Sequence, residues 1–218
     1  MQTEGEAINS GENMGREIEI KIPLTDAQYD YVFSVISGNE KIKGIEVDSE
    51  ELEHLIKKDI YFSRYSTREE SKAAGEPQVI RIRSEVSIDE KTNERSYFCI
   101  KRKTIENGIE LNREDETFVE KPEIIRDLLL FSGYHQFFEK NKDAYGVHCH
   151  SVVLPGCDFH LELEKVNSFK YIEVEVTDGY DAADQVRAAL EKFMELFGLD
   201  TSKRDSRSWM EIIKGKAE

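Results

Sequence analysis

From Glu17 the chain alternates charged and apolar side chains without a break, as Glu17, Ile18, Glu19, Ile20, Lys21 and Ile22. Successive side chains on a strand point to opposite faces, so this pattern predicts a strand with one charged face. Pro23 stops it. Thr25 then stands three residues before Gln28, the spacing of a capping box. Tyr29, Val32, Phe33 and Ile36 follow on one face of a helix that runs to about Ser37. Glu50–Lys58 reads as a second, shorter helix. Strands dominate after it: Asp59–Ser63, Gln78–Val86, Arg95–Lys103 and Ile109–Val119, with a polar loop, Ser66–Pro77, that is long enough to move. Asn107-Gly108 marks a turn. Pro122–Ser132 is helical, with proline at its start and Gly133 just past its end. Residues 136–153 form one long extended stretch that turns at Leu154-Pro155-Gly156. Cys157–Val166 and Lys170–Thr177 are two further strands joined near Asn167, Asp181 caps a helix to about Phe197, and Ser206–Ile213 is a short terminal helix holding Trp209.

The first 14 residues are mostly polar, with Ile8 their one branched apolar residue, and stand outside the fold as a disordered tail; residues 15–218 read as one domain, without repeats or linkers. Of 218 residues 39% are hydrophobic, enough for a core. Lys and Arg number 30 against 45 Asp and Glu, a formal charge of −15, which argues against a nucleic-acid or anionic-membrane partner unless the basic residues are gathered in one place. No run of about 18 apolar residues exists and no apolar signal core opens the chain, so the cytoplasm is the expected compartment. Cys99, Cys149 and Cys157 have no framework spacing and are read as reduced thiols.

The charges on the strands are sorted by sign. Glu17 with Glu19 and Glu173 with Glu175 are acidic pairs spaced i, i+2; Arg81 with Arg83, Lys101 with Lys103 and Lys140 with Lys142 are basic pairs at the same spacing. Each pair lies on one face, roughly 7 Å apart. A lone pair is ordinarily a solvated face. Five pairs segregated by sign suggest instead a closed barrel of about eight strands whose charged faces point inward. Such a lumen is intolerable dry, because unpaired buried charges are costly. A polyanion with divalent cations makes it tolerable: basic groups cradle phosphates and carboxylate pairs hold Mg²⁺ or Mn²⁺.

At this point a family resemblance enters. Glu17-Ile18-Glu19-Ile20-Lys21 resembles the E-x-E-x-K signature of the CYTH family, the triphosphate tunnel metalloenzymes. Asp59-Ile60-Tyr61-Phe62 is similar to its D-x-Y-F strand, Ile80–Arg83 to its L-R-I-R, Cys99-Ile100-Lys101 to its T-x-K and Arg113–Glu116 to its R-x-E strand. Lys140–Tyr145 resembles K-x-R-x-x-Y with Lys142 in place of arginine, Glu164-Lys165-Val166 stands where D-x-V is usual, and Tyr171–Glu175 resembles F-x-E-x-E. Ser208–Ile213 is similar to the terminal S-Y-x-x-L-L helix, so the resemblance runs in order from about Arg16 to Ile213. It departs at Asn167-Ser168, where a glycine turn is usual, and at Cys99, where threonine is common. Acids at both parities in Arg113–Glu116 compete for the lumen, and Asp115, sharing parity with Arg113, is preferred over Glu116.

The resemblance implies an α+β fold: a closed eight-stranded antiparallel barrel with helices outside, acting on a small-molecule triphosphate with Mg²⁺ or Mn²⁺. It implies Glu17, Glu19, Glu173 and Glu175 as metal ligands, with Glu164 a further ligand or water-orienting base. Lys21, Arg81, Arg83, Lys101, Lys103, Arg113, Lys140 and Lys142 would hold the phosphates; Tyr61 either orients Lys21 or, the preferred reading, is a structural tyrosine. Hydrolysis of tripolyphosphate, thiamine triphosphate or a nucleoside triphosphate is preferred, because no base-reading element is evident. The alternative is a class IV adenylyl cyclase making cyclic AMP and pyrophosphate; a non-catalytic phosphate binder would have no use for two carboxylate pairs. Monomer and homodimer both stay open. Strand parity would turn His148 and His150 inward, near His160 and Cys157, as a zinc cluster; a parity-reversing bulge at Gly146 is the preferred reading.

Overall fold

A computed structural model describes residues 16–76, 78–89, 94–106, 109–176 and 183–215. The tail over residues 1–14, the Asn107-Gly108 turn and the Asp181 cap lie outside the described residues. Nine strands form one antiparallel sheet: β1 (Arg16–Pro23), β2 (Ile45–Val47), β3 (Glu53–Ser63), β4 (Val79–Ser87), β5 (Arg95–Glu106), β6 (Ile109–Phe118), β7 (His135–Ser151), β8 (Asp158–Val166) and β9 (Phe169–Val176). Eight of them close on themselves in the order β7-β3-β4-β5-β6-β1-β9-β8, with β7 pairing β8 and the short β2 added outside on β7. This is the closed antiparallel barrel expected from the alternating charges.

The barrel is inside out relative to an ordinary small barrel. Ile18, Ile20 and Ile22 on the outer face of β1 pack with Val174, Leu161 and Phe159 beneath α1 (Asp26–Ile36) and α4 (Ala183–Leu196). The capping box at α1 is formed, Thr25 and Gln28 each bonding the other's backbone N–H. Phe159 stacks on Phe193 of α4 with ring centroids 4.6 Å apart. Each such buried side chain stabilises by about 1.5–3 kcal/mol. A smaller cluster of Phe62, Ile80, Ile82 and Leu129 seats α3 (Pro122–Phe131). Trp209, Ile212, Val166 and Tyr171 seat α5 (Trp209–Lys214). With its apolar core outside the barrel, the lumen is left to the charged face.

Three expectations are corrected. Glu50–Lys58 is not a helix: Ser49–Glu51 makes one 3₁₀ turn and β3 begins at Glu53. A short apolar run such as Leu55-Ile56 cannot separate helix from strand. Pairing on both edges decides it, Lys57 lying opposite Glu85 of β4 and Lys142 of β7. The Ser66–Pro77 segment carries a helix, α2 (Arg68–Ala73), whose Thr67 cap accepts from the Glu70 N–H at 3.2 Å; Pro77 itself lies outside the described residues. Gly146 holds no bulge, since β7 pairs in register through it with both Glu53 and Glu162; the irregularity falls between Tyr61 and Phe62 of β3. A side chain at 146 would press His160 Nε2 at 3.3 Å, so glycine leaves that ring its space.

Candidate active site

The charged faces converge on a cavity of about 340 Å³ lined by eight basic and eight carboxylate side chains. Glu17, Glu19, Lys21, Tyr61, Arg81, Arg83, Lys101, Lys103, Lys140, Lys142, Glu173 and Glu175 all line it, and Glu164 is buried behind them. Arg113 does not. It lies on the outer wall with Nε 3.7 Å from Asp115, which also accepts from Arg102 at 2.9 Å. Asp115 is therefore outside as well, and Glu114 and Glu116 face the lumen. Leu111 sets this parity by packing into the outer core opposite Ile18, which turns Arg113 and Asp115 outward with it.

Two carboxylate groups bring oxygens within 4.8 Å of one another, Glu17 with Glu19 and Glu175, and Glu162 with Glu164 and Glu173. Burial first, then the charges of Glu175, Glu114 and Glu19, push Glu17 up to about 8 against the pull of Lys101. Burial followed by Glu173 pushes Glu164 up to about 7. Both Glu164 oxygens are buried and accept no hydrogen bond, although the Lys142 ammonium lies against one. Oxygen-only donors, crowded on one another at short range, fit a hard divalent cation. A third group, Cys99 with Glu114 and Glu116, does not. Burial pushes the Cys99 thiol up, so it stays protonated and donates to Glu114 at 2.7 Å. Burial would raise Glu114 too, yet Arg81 at 2.5 Å and Lys101 at 3.3 Å hold it at about 2.

The basic side chains are held by acids that sequence reasoning did not assign. Asp59 accepts from Arg83 Nε at 2.7 Å and Nη2 at 3.2 Å, and lies 3.3 Å from Lys140 and 3.8 Å from Arg81. Burial opposes its charge, but Arg83, Lys140 and Arg81 hold its carboxyl well below the usual range. Glu162 is gripped by Lys57 and Lys142 and likewise held low. Burial and then Lys142 pull Lys140 down to about 7. The alternative in which Tyr61 orients Lys21 is not formed: the Tyr61 hydroxyl donates to Asp59 at 3.2 Å, and Lys21 donates to the Arg207 carbonyl at 2.9 Å. Glu162 was legible as the alternate neighbour of Glu164 on one strand face. Lys57 was hidden by the helix reading of its segment.

The cavity is closed at one end and open at the other. Along β8, side-chain exposure climbs from 0% at Glu164 through 9% at Glu162 to 30% at His160. The closed end is strapped by the segment before α5, where the Asp205 N–H donates to the Lys21 carbonyl at 2.8 Å and Lys103 to the Ser206 carbonyl at 3.0 Å. Trp209 covers Lys21 and Lys140, whose ammonium groups stand 5.6 and 5.4 Å from its ring. At the open end His148 shares the inward parity but is 50% exposed and bonds Asp158 at 2.6 Å, while His160 bonds Glu175 at 3.0 Å. His150 is exposed beside Asp48 and Cys157 is buried in the outer core, so these residues make no zinc cluster.

No family model and no curated protein sequence matches the chain. Solved structures do share its fold. The PH1819 protein from Pyrococcus horikoshii OT3 is 20% identical with a TM-score of 0.63, over 92% of this chain and 99% of that one. A candidate adenylate cyclase from Vibrio parahaemolyticus is 16% identical with a TM-score of 0.59, over 92% and 98%. A candidate adenylyl cyclase from Hippeastrum, described as having a dominant triphosphatase activity, is 16% identical with a TM-score of 0.57, over 92% and 96%. At these identities the likeness is one of fold, and that fold is the closed tunnel implied by the resemblance to the triphosphate tunnel metalloenzymes.

Proposed function

We propose that the chain hydrolyses the terminal phosphoanhydride of a triphosphate held in the tunnel with Mg²⁺ or Mn²⁺. The observation that carries this is the gathering of eight basic and eight acidic side chains around one cavity. Because acids match the cations in number there, the lumen has no surplus positive charge with which to hold a polyanion. A divalent cation would be held by Glu17, Glu19 and Glu175, whose oxygens converge, whereas Glu173 converges instead with Glu162 and Glu164. Bound there, it would supply the missing charge and polarise the phosphoryl oxygens. Arg81 and Arg83 present guanidinium forks to adjacent phosphate oxygens, and Lys101 and Lys142 add point charges. Glu164, pushed up to about 7 by burial, takes the proton of the attacking water on a carboxylate oxygen. Water and the triphosphate then give orthophosphate and the diphosphate, with positioning and charge neutralisation as the main work of the protein.

The same tunnel would serve a class IV adenylyl cyclase, with the ribose 3′-hydroxyl in place of water. Hydrolysis is favoured because Glu164 lies toward the strapped end, where a terminal phosphate and a water fit better than a ribose. The activity reported for the Hippeastrum protein of like fold points the same way. The proposed setting is the cytoplasm, which keeps the three buried thiols reduced. The test offers tripolyphosphate, thiamine triphosphate and ATP with Mg²⁺ or Mn²⁺ and measures orthophosphate, pyrophosphate and cyclic AMP. Orthophosphate without cyclic AMP is expected. Cyclic AMP with pyrophosphate would replace hydrolysis by cyclisation, and no turnover of any substrate would overturn the enzyme reading.

A further inference from the structure

We propose that the exposed face of α3 and the hollow beside it form an interface between two copies of this chain, related by a two-fold axis. α3 has one apolar face turned to the barrel, where Ile125 and Leu129 pack with Phe62, Ile80 and Ile82. It has a second apolar face turned to solvent. Ile124, Leu128 and Phe131, spaced i, i+4 and i+7, stand together there and are 58%, 59% and 92% exposed. Phe159 and Phe193, by contrast, are wholly buried. Single apolar side chains scattered over a surface are ordinary. Three large ones on one helical face make a ridge of roughly 400 Å², as large as the largest patch on a typical monomer, and such patches mark contact sites.

The barrel wall next to α3 supplies a seat for such a ridge. Phe98 and Ile100 of β5 point outward, opposite in parity to Cys99 and Lys101, which line the tunnel. With Asp115 and Thr117 of β6 they line an open hollow of about 430 Å³. Phe98 also packs on the cluster that seats α3, so hollow and ridge are neighbours on one side of the barrel. This adjacency selects a second copy as the occupant. A face that carries both knob and socket is self-complementary, and a two-fold axis lets the ridge of each copy enter the hollow of the other. Charge agrees with it. α3 carries two acids, Glu123 and Asp127, and one arginine, Arg126. The hollow is bordered by two arginines, Arg102 and Arg113, and one acid, Asp115. The two surfaces therefore bear opposite net charge. Each ridge covers a similar area of its partner, so two ridges and two hollows bury roughly 1,600 Å², the size of a standard specific interface. A chain of formal charge −15 offers an anionic bilayer no comparable match.

Sedimentation equilibrium of the full chain over a concentration series tests this, with circular dichroism to show that each variant is folded. The wild type should follow a monomer–dimer equilibrium. Phe131→Glu and Leu128→Glu should each raise the dissociation constant by at least about 100-fold, because a two-fold interface loses each anchoring residue twice. Both side chains stand in solvent in the single chain, so neither change threatens the fold. Thr117→Arg, which fills the hollow from the other side, should weaken the dimer as strongly. Val152→Glu, at a 70% exposed valine outside both surfaces, should leave the constant within about threefold of wild type. A wild type that stays monomeric at its highest soluble concentration, including one that sediments with anionic vesicles instead, would overturn the proposal. So would a dimer that survives Phe131→Glu and Leu128→Glu, or one lost in these variants but untouched by Thr117→Arg.

Discussion

Replacing Asp59 by asparagine removes one negative charge from the most crowded basic region of the lumen while preserving shape. Asp59 is 1% exposed and faces Arg83, Lys140 and Arg81, besides accepting from Tyr61. Breaking a buried ion pair by removing one partner costs about 3–5 kcal/mol. With three cations left facing one another, the upper half of that range is expected, about 4 kcal/mol, or roughly a thousandfold in the folded to unfolded ratio. Urea denaturation at pH 7 in phosphate-free buffer measures it. The pH dependence has a definite sign. Asp59 is held well below its ordinary value, so its stabilisation is fully present above the unfolded pKa of about 3.9 and is lost as pH falls through the folded one. The gap between wild type and Asp59→Asn should therefore narrow on acidification below about pH 5. Tripolyphosphate with Mg²⁺ at about 100 times its dissociation constant should add ~2.7 kcal/mol to the wild type, and at least as much to the variant, because phosphate oxygens replace the lost charge. A loss under about 1 kcal/mol at pH 7, or a gap that widens in acid, would refute the view of Asp59 as the internal counter-ion of the unloaded tunnel.

Two further outcomes bear on the assigned residues. Glu19→Gln keeps volume but lowers the charge of the first carboxylate group; kcat should fall by ~10²-fold or more with at most partial rescue by added Mn²⁺, and undiminished activity of the wild type in excess EDTA would contradict the metal assignment. Arg83→Ala should weaken triphosphate binding by about 1.5–3 kcal/mol in calorimetric titration at fixed ionic strength, whereas Lys72→Ala, exposed on α2, should change it by less than about 0.5 kcal/mol. Equal losses would mean that diffuse attraction, and not an inward arginine ladder, binds the ligand.

How much of this was readable beforehand depended on whether a strand keeps its charges on one parity. β1 and β9 do, so Glu17, Glu19, Glu173 and Glu175 were assigned to the lumen from alternation, and the lumen is where they are. β6 does not. Arg113 through Glu116 are four charged residues in a row, and which two turn inward is settled by Leu111 on the outer core, a contact no local pattern contains. β3 was half legible: its Asp59–Ser63 end alternates, while the Leu55-Ile56 run before it takes its conformation from strands β4 and β7 on its two edges.

The strap over Lys21 and Lys103 gives the tunnel the kinetics of a blind alley. Substrate and products share one doorway. If a triphosphate enters with its terminal phosphate leading, orthophosphate is released behind everything else. The diphosphate would then depart first, and orthophosphate would follow it out. In steady-state terms the last product to leave binds the same free enzyme as the incoming substrate, so orthophosphate competes with substrate, while the diphosphate inhibits in a mixed pattern. A chain whose turnover is governed by that queue would respond to the phosphate level around it without any second binding site.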